Sequence, residues 1–243
     1  MSPDGAHAMI ELTLIQKIAI FALPVIFAIT LHEAAHGYVA RYFGDTTAWM
    51  LGRVTANPLK HIDLVGTIIV PLTILVASKL LGGGALLFGW AKPVPVNFGQ
   101  LRRPKQDMLW VAAAGPGMNL LMALFWALMI QLGLALGSGF ASTPLVLMGA
   151  AGVFINVILM ALNLIPLPPL DGGRIAVSLL PRQAAWQFSR LEPYGLFILL
   201  GLLFTGLLGT ILWPLISLFL GLIAMLSGLE TMKLLALIQI VLG

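Results

Sequence analysis

Cysteine is absent from the 243-residue chain. That absence excludes disulfides and thiolate metal sites, so any bound metal has to be held by imidazole or carboxylate. Charge is also scarce. Thirteen Lys and Arg plus nine Asp and Glu make 9% of the residues, against roughly 25% in an average soluble domain. A chain so poor in charge is neither a disordered segment nor a nucleic-acid binder, and no nucleic-acid partner is expected. Internal repeats, low-complexity tracts and long linkers are lacking as well. The first residues carry Asp4, His7 and Glu11 in place of a basic start, so no removable signal peptide is expected. Nor is the start rich in Arg and Ser, as a mitochondrial transit peptide would be.

What the chain has in abundance is apolar surface. Apolar residues make up 60%, and the mean hydropathy is +1.03. A soluble domain of this size still exposes roughly a quarter of its unfolded surface to water, and this composition cannot supply that surface. The expectation is an integral, multi-pass membrane protein with the lipid bilayer as its first partner. The net charge of +4 then reports orientation rather than a polyanionic ligand.

A spanning helix takes about 20 mainly apolar residues. No charge falls between Lys17 and His32, and a helix is expected from about Ile10 to Phe43, stopped by Gly44. Residues 64–78 are apolar but short. From Met108 to Leu170 there is no Asp, Glu, Lys, Arg or His. Breaks at Gly137-Ser138-Gly139 and Ser142-Thr143-Pro144 divide that run into a hairpin, about 109–136 and 145–165. A second uncharged run, Pro193 to Leu229, divides near Gly209-Thr210 into two more helices, and the tail from Glu230 extends the last helix or lies along the interface. The fold class is all-α and polytopic, with about five to six transmembrane helices. One domain, 1–243, is expected, with a core of about 10–174 and an accessory C-terminal helical hairpin of about 190–243.

The residues that carry chemistry are His32-Glu33-Ala34-Ala35-His36. Positions i and i+4 share a helix face, so two imidazoles can hold one zinc ion with a carboxylate beside them to act as base. Zinc lowers the pKa of bound water toward about 7, and Glu33 is placed to take its proton. Ionisable residues inside an apolar spanning helix are costly and usually functional, and three fall here within five positions. A third protein ligand is needed. Asp4, Glu11, Asp45, Asp63, Asp107, Glu192 and Glu230 sit at ends, loops or margins. Asp171 differs, because it closes the long uncharged run within Asn163-Leu-Ile-Pro-Leu-Pro-Pro-Leu-Asp171-Gly172-Gly173. Pro166 and Pro168 free backbone groups that need protein or water around them. An interfacial turn with a solvated Asp is the bland alternative; beside the His motif, ligation is favoured. His61, next to Lys60 and Asp63, is the other candidate imidazole, read as an interfacial loop residue.

The H-E-x-x-H in a membrane helix followed by N-x-x-P-x-P-x-x-D-G resembles the site-2 protease family of intramembrane zinc metalloproteases. Gly115-Pro116-Gly117-Met118-Asn119 resembles that family's G-P-x-x-N. Gly52-Arg53-Val54-Thr55-Ala56-Asn57-Pro58-Leu59-Lys60-His61 and Gly89-Trp90-Ala91-Lys92-Pro93-Val94-Pro95-Val96-Asn97 resemble its compact branch, which lacks PDZ and CBS domains. The resemblance covers residues 32 to about 174. It implies that His32, His36 and Asp171 hold one Zn²⁺ per chain, that Glu33 serves as general base and acid, and that Asn119 orients substrate or stabilises the oxyanion. A helix–helix hydrogen bond is the bland alternative for Asn119.

The metal set also constrains topology. His32 and His36 lie toward the end of the first helix and Asp171 lies past the end of the 145–165 helix, so both ends must face one side. Residues 64–81 are therefore expected to be re-entrant, with 84–96 as an extended arm. The stretch from Leu86 through Val96 is the candidate edge to which an unwound substrate segment could add as a strand, although it also suits a loop covering the metal. Arg41, Arg53, Lys60, Lys92, Arg102, Arg103, Lys105, Arg174, Arg182, Arg190 and Lys233 would then share one side, which marks it as cytoplasmic. The function expected is a zinc-dependent endopeptidase that cleaves the transmembrane helix of a membrane-protein substrate. It would sit in a bacterial-type cell membrane with its site open to the cytoplasm. The alternative is a metal-ion transporter, which needs ligands but has no use for Glu33 as a base.

Overall fold

The computed structural model describes residues 12–70, 72–74, 76, 91–137 and 139–243. Among the described residues the regular structure is helical, with no β-strand. In chain order the α-helices are α1 (Leu14–Tyr42), α2 (Thr47–Met50), α3 (Pro104–Ala135), α4 (Ser142–Asn163), α5 (Asp171–Leu179), α6 (Arg182–Ser189), α7 (Gly195–Phe204), α8 (Leu207–Ser227) and α9 (Thr231–Leu242). Four of these, α1, α3, α4 and α8, are long and apolar enough to cross a membrane. The chain is a multi-pass membrane protein. It clusters into two compact units, one of residues up to Ala28 with 119–162 and 198–243, the other of residues 29–118 and 163–197.

The first unit shows why its helices start and stop where they do. Thr13 and Gln16 form a reciprocal cap at the start of α1, with Thr13 N donating to Gln16 Oε1 (2.9 Å) and Gln16 N to Thr13 Oγ1 (3.3 Å). Leu121, Phe125, Leu128 and Leu132 recur at helical spacing on α3 and are exposed, whereas Ala123, Trp126, Ala127 and Ile130 are buried. The exposed stripe is the face a bilayer would cover. Small residues let the backbones approach: a Cβ at Gly149 would lie 2.9 Å from Trp126 O, and one at Gly133 would lie 2.7 Å from Val146 Cγ2. Ser142 Oγ donates to Gly133 O (2.7 Å). Gly206 (φ +75°) and Gly228 (φ +72°) bound α8 at its two ends.

In the second unit, Gly44 (φ +114°) ends α1 as its position suggested. The buried Asp45 then accepts from Thr47 N (2.9 Å) and from Asn97 N (2.6 Å). Ala40, Leu101 and Val111 form a small core there, flanked by Val39, Phe43, Val96, Phe98 and Met108.

Several expectations change. Helix α3 begins at Pro104 rather than near 109, because its charged first turn is capped: Arg103 N donates to Asp107 Oδ2 (2.7 Å). The break in the last run falls at Thr205-Gly206, where a left-handed residue is needed, rather than at Gly209-Thr210. Residues 171–189, to which the sequence assigned no element, hold α5 and α6. Lys233 lines a cavity with Gln131, Leu134 and Glu230. Asp63 caps a π-helix at Leu64–Ile69 through Gly66 N (2.7 Å). Residues 70, 72–74 and 76 are helical, whereas residues 71, 75 and 77–81 of the expected re-entrant segment and 84–90 of the expected arm lie outside the described residues, as do Asp4, His7, Glu11 and the expected start at Ile10. Residues 91–97 are irregular rather than a strand.

Candidate metal centre

His32 and His36 stand one turn apart on α1, with Nε2 atoms 3.1 Å apart and rings edge to face. His36 Nδ1 donates to Val111 O (2.7 Å). A carbonyl only accepts, so this bond puts a proton on Nδ1, and in the neutral ring Nε2 is then the lone pair facing His32. Asp171 opens α5, and its Oδ2 lies 3.3 Å from each Nε2. All three residues are 7–9% exposed. Burial disfavours the charged form of Asp171, but the nearby His36 and His32 outweigh it and hold the carboxyl below the usual carboxylate range.

The donor set fits a small tetrahedral cation. Metal–ligand bonds of about 2.0–2.1 Å imply ligand–ligand edges of about 3.3–3.4 Å, and the observed edges are 3.1, 3.3 and 3.3 Å. Asp171 Oδ2 is buried without a hydrogen bond of normal geometry, an arrangement that is costly unless a cation sits among the acceptors. His32, His36 and Asp171 are the group of titratable side chains able to hold a metal ion among the described residues. A set of three such donors would leave the fourth position of a zinc ion open, as catalytic zinc sites do.

Neighbouring glycines explain how these side chains come so close. A Cβ on Gly115 would lie within 2.6 Å of His32 Nε2 and closer still to His36 Nε2, so the glycine of the G-P-x-x-N motif makes room for the imidazoles. At Gly172 and Gly173 a Cβ would run into the backbone of Leu164, Ile165 and Pro168. Neither glycine has a positive φ; they permit close packing of α5 on the proline segment rather than flexibility.

Glu33 lies beside the metal group, and its Oε2 accepts from Val94 N (2.7 Å). His61 is buried apart from the centre, with Nε2 donating to Thr55 O (3.0 Å). Asp45, Asp63 and Asp107 serve as caps, and Glu192 pairs with Arg174 at 3.6 Å. Asn119, fully buried, donates from Nδ2 to Asn156 Oδ1 (2.9 Å) and Ala28 O (3.3 Å), and Asn156 donates on to Gly152 O (2.8 Å). Asn156 was missed in the sequence, although an amide in a charge-free apolar helix is itself a signal. Arg53, also missed, has Nη2 on Lys92 O (3.0 Å) and Pro93 O (3.4 Å).

A multi-pass membrane chain with a buried His₂-carboxylate centre and an adjacent Glu has the make-up of a zinc metalloprotease. Comparison with known proteins agrees. The family model described as Peptidase family M50 matches residues 135–206, which include Asp171. The chain is 38% identical over 199 residues to "Putative zinc metalloprotease YwhC" of Bacillus subtilis, covering 80% of this chain and 84% of that protein. It is 28% identical over 182 residues to "Putative zinc metalloprotease Rip2" of Mycolicibacterium smegmatis, covering 74% of this chain and 64% of that one. No solved structure gives a significant match. The chain belongs to peptidase family M50, the site-2 protease type, and is a zinc metalloprotease.

Proposed function

We propose that the protein is an intramembrane endopeptidase that hydrolyses a peptide bond within or near the transmembrane segment of a membrane-protein substrate, as in regulated intramembrane proteolysis. The observation that carries this reading is the meeting of His32, His36 and Asp171 within 4.8 Å of one another, next to Glu33 in an otherwise apolar helix. His32, His36 and Asp171 would hold the zinc ion, which supplies Lewis-acid polarisation of water and of the scissile carbonyl. Glu33 takes the proton of the attacking water and hands it to the departing amide nitrogen, so that one carboxylate acts first as base and then as acid. Val111 O keeps His36 in the tautomer that presents Nε2 to the metal. Burial of the centre keeps bulk water away from all but the reacting position, which strengthens each electrostatic contact.

Asn119 is proposed to act with this machinery as the family resemblance implies; its bonds to Asn156 and Ala28 favour a second reading, a buried amide that holds helices together. Residues 1–243 are read as one metalloprotease domain, with a core of about 10–174 and an accessory segment of about 190–243. The bilayer is proposed to be a bacterial-type plasma membrane. The basic residues around Arg102, Arg174 and Arg182 support a site that opens to the cytoplasm. The re-entrant path of residues 64–81, and with it the total of five to six crossings, belongs to this reading.

The test is reconstitution of the full chain with a panel of synthetic membrane-spanning peptides. Wild type should give defined products that a chelator abolishes and added zinc restores. Glu33→Gln should keep its zinc and lose cleavage. If Glu33→Gln cleaves like wild type, or alters ion flux instead, the chain is not a protease of this mechanism and the transporter reading takes its place.

A further inference from the structure

Glu33 is a carboxylate on an apolar helix, and its orientation depends on whatever holds its oxygens. One holder is plain: Val94 N donates to Oε2 at 2.7 Å. Val94 is flanked by Pro93 and Pro95, neither of which has an N–H, so within 93–95 it alone can donate. Yet residues 91–97 have no strand partner to fix them. What fixes them is the segment 53–61. Arg53 Nη2 donates to two successive carbonyls, Lys92 O (3.0 Å) and Pro93 O (3.4 Å). Lys92 N donates to His61 O (2.9 Å), and the His61 ring is tied back to Thr55 O (3.0 Å). The side chains of Val54 and Val94 both close on Gly37, one turn beyond Glu33, where an added Cβ would meet them at 2.8 and 3.1 Å.

We propose that Arg53 is a positioning residue for Glu33, acting through the backbone of 92–94, which its guanidinium clasps so that the Val94 N–H is held against the carboxylate. This rests on the proteolytic reading above. The residue type matters: a planar guanidinium can bond two carbonyls at once, whereas a lysine ammonium is a mobile point donor. Loss of the clasp frees Val94 to drift, and an error of about 1 Å in a reacting group can cost on the order of 10²-fold in rate.

The experiment compares wild type, Arg53→Lys, Arg53→Ala and Glu33→Gln in the full chain, reconstituted in liposomes, against a synthetic spanning peptide that wild type cleaves. Zinc content, melting temperature, kcat and KM are measured for each. The expected result for Arg53→Lys is kcat lowered about tenfold or more, with KM within about twofold, and zinc content and melting temperature as in wild type. Millimolar guanidinium should restore part of the kcat of Arg53→Ala. The proposal is overturned if kcat per zinc-loaded chain is unchanged in Arg53→Lys. It is equally overturned if the loss only parallels a loss of zinc or of melting temperature, which marks a structural role, or if KM alone rises, which marks a substrate-binding role. Failure of the proteolytic reading looks different: wild type would then show no chelator-sensitive cleavage for Glu33→Gln to lose.

Discussion

At the scale of single residues, the centre is governed as much by what is missing as by what ligates. Gly115 has no side chain, and the imidazoles of His32 and His36 fill the space a Cβ would occupy. Gly115→Ala is therefore expected to push both rings aside and to lose zinc and cleavage together, while far-UV circular dichroism stays that of a folded helical protein. Glu33→Gln separates chemistry from binding. It should keep one zinc per chain by metal analysis and lose about 10²–10⁴-fold in kcat, the span that a positioned proton-transfer group supplies. Asp171→Ala should do the reverse and lose the metal first, since two imidazoles alone do not complete a zinc site. The sequence singled out His32, Glu33, His36 and Asp171 as candidates because charge is so rare in this chain that each ionisable side chain in an apolar run stands out, and the structure gathers His32, His36 and Asp171 into one group able to hold a metal ion. Arg53 and Asn156 were not singled out, because a guanidinium next to a loop and an amide in a helix take their meaning only from partners distant in sequence.

At the scale of elements, the short helix α5 sets the position of Asp171. Gly173 sits against the Pro168 backbone and Gly172 against Leu164 and Ile165, so Gly173→Ala is expected to displace α5, cost about 1–3 kcal/mol by overpacking and lower zinc affinity. Gly206→Ala offers the contrast. Its φ of +75° disfavours any side chain, so the substitution should cost about 1–2 kcal/mol, yet activity per zinc-loaded chain should hold. Melting curves beside zinc titrations distinguish the two. The long helices were legible within a few residues at either end, because charge-free runs of this length have few alternatives in a bilayer. Helices α5 and α6 were not legible: Asp-Gly-Gly has low intrinsic helix propensity, and packing against the proline segment overrides it.

At the scale of the whole molecule, the reading turns on which side of the membrane each loop faces. The lack of cysteine makes the test clean, because a single introduced thiol is the sole target of a maleimide. Phe140, in the turn between α3 and α4, is 99% exposed. Phe140→Cys should label in intact cells with a membrane-impermeant reagent, and Arg182→Cys should label only after permeabilisation. The opposite pattern would overturn the proposed orientation.

The sequence alone determined that this chain lives in a membrane and that a bound metal must be held by imidazole and carboxylate, with His32, His36 and Asp171 as the candidates, because composition and helical periodicity are local properties. The tertiary structure decided what brings those residues together: glycines that admit two rings and a proline segment, a carbonyl that sets one tautomer, and a backbone N–H that reaches Glu33. Those depend on contacts between residues tens of positions apart, and close approach between backbones leaves no periodic trace in a linear chain.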